Sequence, residues 1–88
     1  MIIDFKTAYR REPMTGSIFF SATVEGGKVR NSITENTLVD CFDRNDDEDT
    51  PLVFERNRAA IETKVREKIQ AGKVNESGGA DLTPSDFE

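Results

Sequence analysis

The stretch from Thr50 to Gly72, TPLVFERNRAAIETKVREKIQAG, constrains this chain more than any other. Phe54, Ile61, Val65 and Ile69 fall on one narrow stripe at a period of 3.6 residues, so the stretch reads as one long helix (about 51–71) whose stripe faces a core. Thr50 is placed to cap it, Pro51 suits the first helical position, and Gly72 suits a left-handed residue just past the end. Arg58 stands in the middle of the stripe, where a guanidinium must either pair or snorkel.

Upstream, Ser17 to Ile33 reads as a β-hairpin around Gly26-Gly27. With those glycines as a two-residue loop, Val24 pairs with Val29, Ala22 with Asn31 and Phe20 with Ile33. One face then collects Ile18, Phe20, Ala22, Val24, Val29 and Ile33, and the other collects hydroxyls and charges. Thr34 begins a short helix (about 34–43), with Ile33 and Leu38 spaced as a hydrophobic staple and Leu38, Cys41 and Phe42 on one side. Ile3 and Phe5 mark a short N-terminal strand, and Lys6 to Thr15 reads as a charged connector. After Gly72, Lys73–Asn75 and Ala80–Leu82 are spaced to pair across Ser77-Gly78-Gly79, with Val74 and Leu82 toward the core; Thr83 to Asp86 suits a single helical turn.

The expected fold is therefore α+β: a small antiparallel sheet, made of an N-terminal strand and the hairpin 17–33, packed on the two helices and closed by a short C-terminal strand or strap. Eighty-eight residues make one small domain, read as 1–78 with a partly ordered tail at 79–88. Such a thin core leaves room for a homodimer.

Composition excludes several classes. With 12 basic against 17 acidic residues the net charge is −5, which disfavours duplex DNA and anionic membranes as obligatory partners. Histidine is absent, which removes the commonest general base and most zinc sites. A lone cysteine forms no internal disulfide, MIIDFK lacks the pattern of a secretory leader, and no run is long enough to span a bilayer, so a cytoplasmic, non-membrane protein is expected. No catalytic constellation is visible, so no enzymatic activity, cofactor or metal is expected.

Several of these residues together resemble the domain-of-unknown-function 1488 family of small bacterial proteins. They are SIFFSATVEGGKVRNSIT over Ser17 to Thr34, then Leu38 and Phe42, then F-x-x-N-R-x-x-I-E over Phe54, Asn57, Arg58, Ile61 and Glu62, and LTPSDF near the end. The resemblance implies a compact α+β fold in a bacterial cytoplasm and no assigned activity. Asn31 departs from the cysteine the family pattern leads one to expect, so no indispensable thiol is implied there.

Four residues are candidate binding groups. Arg58, flanked by Asn57 and followed one turn on by Glu62, suits an anion or a partner carboxylate, although an internal ion pair fixing the helix on the sheet is the preferred reading. Asn31 points to the buried hairpin face, where its amide requires partners. DRNDDED at 43–49 opens like a calcium loop but lacks the glycine and the bidentate glutamate, so it reads as a solvated acidic linker. Cys41 beside Leu38 and Phe42 reads as a structural thiol.

Finally, Phe19 and Arg30, with Lys28, lie on the outer hairpin face, with Tyr9, Arg10 and Arg11 nearby in sequence reach and Phe87 at the far end. Tyr9, Phe19, Arg30 and Phe87 are the candidate interaction surface. The leading expectation is a non-catalytic protein-interaction or adaptor module, binding an unknown protein or itself. The alternative is a single-stranded nucleic-acid binder using the outer hairpin face, which the acidic total makes the weaker reading.

Overall fold

The computed structural model describes residues 2–42 and 49–87. Its elements in chain order are β1 (Ile3–Arg11), β2 (Ile18–Val24), β3 (Gly27–Ile33), α1 (Glu35–Cys41), α2 (Thr50–Arg56), α3 (Arg58–Gln70), β4 (Asp81–Leu82) and a 3-10 turn (Pro84–Phe87). The four strands form one sheet in the order β1-β2-β3-β4, and the helices share a single apolar core with one of its faces. The architecture is α+β, as the patterning predicts. No helix among the described residues is long and apolar enough to cross a membrane.

The hairpin keeps its predicted faces but not its predicted register. The turn is Glu25-Gly26, with φ of 51° and 82°, and the strands pair as Val24 with Gly27, Ala22 with Val29, Phe20 with Asn31 and Ile18 with Ile33. The slip from the expected pairing is two residues, and since side chains alternate with period two no residue changes face. Glu25 tolerates its left-handed backbone because both its ends are used: its amide donates to Ile2 O at 3.2 Å and its carboxylate accepts from Ile2 N at 3.1 Å.

The segment expected as a connector, Lys6 to Arg11, is instead the second half of β1. Phe5 pairs with Ala22 and Tyr9 with Phe20, so Lys6, Thr7 and Ala8 together stand opposite Ser21 in a β-bulge. The long helix is also two helices. At Asn57 (φ −108°, ψ 16°) the path breaks, and the Asn57 side-chain amide donates to Val53 O at 2.9 Å. A short polar side chain bonding back to the carbonyl four residues earlier competes with the helical ladder and bends it. Phe54 lies before the break and Ile61, Val65 and Ile69 after it, and all four remain in the core. Asp49, not Thr50, is the N-cap residue of α2, and Thr50 is buried. At α1 the cap is Thr34, whose hydroxyl accepts from Thr37 N at 3.2 Å.

The C-terminal segment departs most from expectation. Asp81 and Leu82 pair in parallel with Ser32 and Ile33, so the sheet is not wholly antiparallel. Lys73–Asn75 forms no strand; Asn75 N donates to Gly79 O at 2.8 Å and closes a turn. Val74 is 46% exposed rather than in the core, whereas Ala80 and Leu82 are fully buried within the segment read as a tail. Beyond them the 3-10 turn docks on α1: Phe87 meets Phe42 edge-on at 5.2 Å and Asp86 pairs with Lys68 at 3.1 Å. Of the acidic run 43–49, all but Asp49 lies outside the described residues.

Candidate functional site

Asn57, Arg58, Glu62 and Asn31 lie within the framework. The turn at Asn57 sets the first residue of α3 beneath the bulge of β1. From there the Arg58 guanidinium donates to Thr7 O at 2.7 Å and to Lys6 O, while its Nε donates to Glu62 at 2.9 Å. Its carbon lies 5.3 Å from the centre of the Phe54 ring. Three of its five N–H donors, one on each nitrogen, are therefore committed to the chain itself, which is how an arginine fits an apolar stripe. Asn31 is fully buried, and its amide joins two elements: Nδ2 donates to Phe20 O at 3.2 Å and Oδ1 accepts from Ala80 N at 3.0 Å.

Ala80 approaches so closely because of its neighbour. A Cβ at Gly79 would stand 2.2 Å from Arg30 O and 2.7 Å from Asn31 Oδ1. The strap of residues 73–80 is tied along β3 by Asn75, which donates to Arg30 O at 3.0 Å, and by Ser77, whose hydroxyl accepts from Arg30 N at 3.0 Å.

The four expected interaction residues do not gather in one place. Tyr9 turns to the core face and meets Phe54 at 5.1 Å; burial and the Glu55 carboxylate hold its hydroxyl above its ordinary pKa of 10.0. Phe87 is half-buried on Phe42, with the Lys64 ammonium 5.9 Å from its ring centre. Phe19 and Arg30 do stand together on the opposite face of the sheet, and Arg10, paired with Phe19 across β1 and β2, joins them.

That face carries the arrangement with most chemical potential. Phe19 is half-buried on β2, between Arg10 of β1 at 5.6 Å and Arg30 of β3 at 5.8 Å from its ring centre. Both arginines are exposed, and neither guanidinium has a carboxylate or carbonyl partner among the described residues. Arg11, by contrast, pairs with Glu35, Arg58 with Glu62, and Arg66 reaches Ile3 O and the Phe5 ring. From Phe19 and Arg30 a groove continues to the strap, where Val74, Asn75, Ser77 and Asp81 form its far wall. Its lining comes from strands and strap alone.

Val74, expected toward the core, is exposed instead, since a single valine in KVNES gives no periodicity to say which way it points. Arg10 shares the outward parity of Asp4, and only the continuation of β1 through the segment read as a connector brings it to that face. No group of three or more Cys, Asp or Glu side chains among the described residues is arranged to hold a metal ion.

Comparison with solved structures gives a crystal structure of a protein of unknown function from the DUF1488 family of Shewanella loihica PV-4. It is 21% identical, with a TM-score of 0.73 over 91% of this chain and 90% of that one, and so shares the fold. No curated protein matches the chain. The family profile described as "Protein of unknown function (DUF1488)" matches residues 3–81. With nearly the whole sheet and both long helical segments inside that match, the chain belongs to the DUF1488 family.

Proposed function

We propose that the protein is a non-catalytic interaction module that docks another protein on the outer face of its sheet, across Arg10, Phe19 and Arg30. The observation that carries this reading is the aromatic ring held between two guanidiniums that have no anionic partner among the described residues. Arginine and aromatic residues are the side chains most enriched at the energetic centres of protein interfaces. The opposite face is spent on the core, and the arginine within the helix stripe is spent on the bulge.

Single-stranded nucleic acid competes for the same face, because bases stack on such rings. Asp4 and Asp81 on that side, with a net charge of −5, oppose a polyphosphate and favour a protein.

The test uses the full chain and its Phe19→Ala/Arg30→Glu variant as paired baits, with sedimentation of each at micromolar concentration to register self-association. The reading expects a defined partner, or a self-associated form, that the native chain holds and the equally stable variant loses. Retention of the same proteins by both baits, or a monomer with no specific partner, overturns it.

A further inference from the structure

The chemistry of the partner follows from how the outer face is charged along its width. We infer that the face takes an extended acidic segment with the pattern acidic-x-acidic-x-aliphatic, lying across the strands from β1 toward the strap; this rests on the interaction reading above.

Three anchor points succeed one another across the sheet. Arg10 stands on β1, Arg30 on β3, and Val74, 46% exposed, on the strap beyond β3. Adjacent strands are spaced by about 4.8 Å, so β1 to the strap spans roughly 14 Å. An extended segment places every second side chain on one side at intervals of about 6.7 Å, so positions i, i+2 and i+4 cover about 13 Å. The backbones of Arg10 and Arg30 are two strand spacings apart, roughly 10 Å, but both side chains lean in over the Phe19 ring between them, so two carboxylates at the first two positions answer the two guanidiniums, which favour planar, two-pronged acceptors. The third position meets Val74 beside the Phe19 ring, where only an apolar side chain gains from contact.

The acidic wall made by Glu76 of the strap and Asp81 of β4 sets the direction. Asp81 lines the groove next to Val74, although its carboxylate already accepts from Ser32 at 2.7 Å and Asn75 at 3.1 Å. A third acidic side chain at that end is repelled, and an aliphatic one is not. The same argument separates a protein from an RNA, whose phosphates continue past the arginines into that wall.

The experiment is a titration of the isotope-labelled full chain, followed by amide NMR shifts at low salt. The probes are short serine-flanked peptides containing Glu-Ser-Glu-Ser-Leu, the neutral Ser-Ser-Ser-Ser-Leu and the basic Lys-Ser-Lys-Ser-Leu, and an oligouridine of similar length. The acidic peptide is expected to shift the amides of Arg10, Phe19, Arg30 and Val74, and to bind about tenfold more tightly than the neutral one. Arg10→Ser or Arg30→Ser should remove that advantage, and Val74→Ser should weaken the acidic peptide without changing its salt dependence. These three residues are exposed, so the fold is retained.

Equal binding of acidic and neutral peptides on these amides overturns the acidic pattern and leaves the interaction reading standing. Tighter binding of the basic peptide also overturns the pattern. Preference for oligouridine on the same amides overturns both in favour of nucleic acid, and no shift there with any probe up to millimolar concentration overturns the interaction reading itself.

Discussion

Replacing Arg58 with methionine isolates what holds the bulge of β1 in place. Methionine keeps most of the aliphatic stem against Phe54 and removes the donors to Lys6 O, Thr7 O and Glu62. Hydrogen bonds from a charged group are worth about 1.5–3 kcal/mol each, so the two carbonyl bonds set an upper bound of about 6 kcal/mol. Two facts lower it. The Arg58 side chain is 20% exposed, and Lys6 and Thr7 are exposed, so water takes over the freed carbonyls. The ion pair with Glu62, four residues on, adds only about 0.3–0.5 kcal/mol. A net loss of about 2–3 kcal/mol is expected for Arg58→Met, against less than about 0.5 kcal/mol for Glu62→Gln. Urea unfolding followed by circular dichroism reads both, with an unchanged m-value showing that the unfolded state is not the cause. Amide exchange should accelerate at Lys6 to Tyr9 in the methionine variant alone. If the two variants lose equal stability, the carbonyl contacts do not hold the bulge and the reasoning fails.

Three further outcomes are expected. Asn31→Ala, which strands Ala80 N in the core and removes the side-chain bond to Phe20 O, should cost about 1–3 kcal/mol in the same urea assay and loosen the strap in amide exchange. Ile61→Ala, at a position with no exposed surface, should cost about 2–4 kcal/mol; a near-neutral result would mean the site collapses without leaving a cavity. Asp86 shows a pH dependence of definite sign. Burial raises its pKa, but Thr83 N–H and the Lys68 ammonium outweigh that and hold it below 3.8. The folded state thus binds the proton less readily than the unfolded chain, so the contribution is present above 3.8 and is lost as the pH falls through the folded value. Thermal melts of Asp86→Asn should show a shallower loss of stability in that acid range than the native chain, and an identical slope would refute the assignment.

The hairpin faces, the Thr34 cap and the helix stripe were legible because each rests on a local rule: alternation, a hydroxyl three residues before the amide it caps, and a 3.6-residue period. What stayed hidden depends on partners far away in sequence. Lys6 to Arg11 shows no apolar alternation because the bulged residues Lys6, Thr7 and Ala8 are all exposed, and the guanidinium that stabilises the bulge comes from residue 58. Asn57 carried a local hint, being a weak helix former whose amide can reach back one turn, yet the uninterrupted apolar stripe outweighed it. The parallel pairing of β4 rests on Asn31 and the missing Cβ of Gly79, neither of which sequence spacing reveals. For the candidate site, Phe19 and Arg30 followed from the hairpin alternation, whereas Arg10 needed β1 to continue beyond Phe5 and Val74 needed the course of the strap.

The guanidiniums that reach β1 from α3 have a further consequence. An outermost strand with free carbonyls invites a second molecule to add its own strand, and successive additions lead to fibres. Here Arg58 and Arg66 occupy the carbonyls of Lys6, Thr7 and Ile3, the bulge breaks the straight run between them, and the opposite border is a strand of only two residues. The sheet is finished at both sides. A protein built this way can present a broad bare face at high concentration and still meet its partners one at a time.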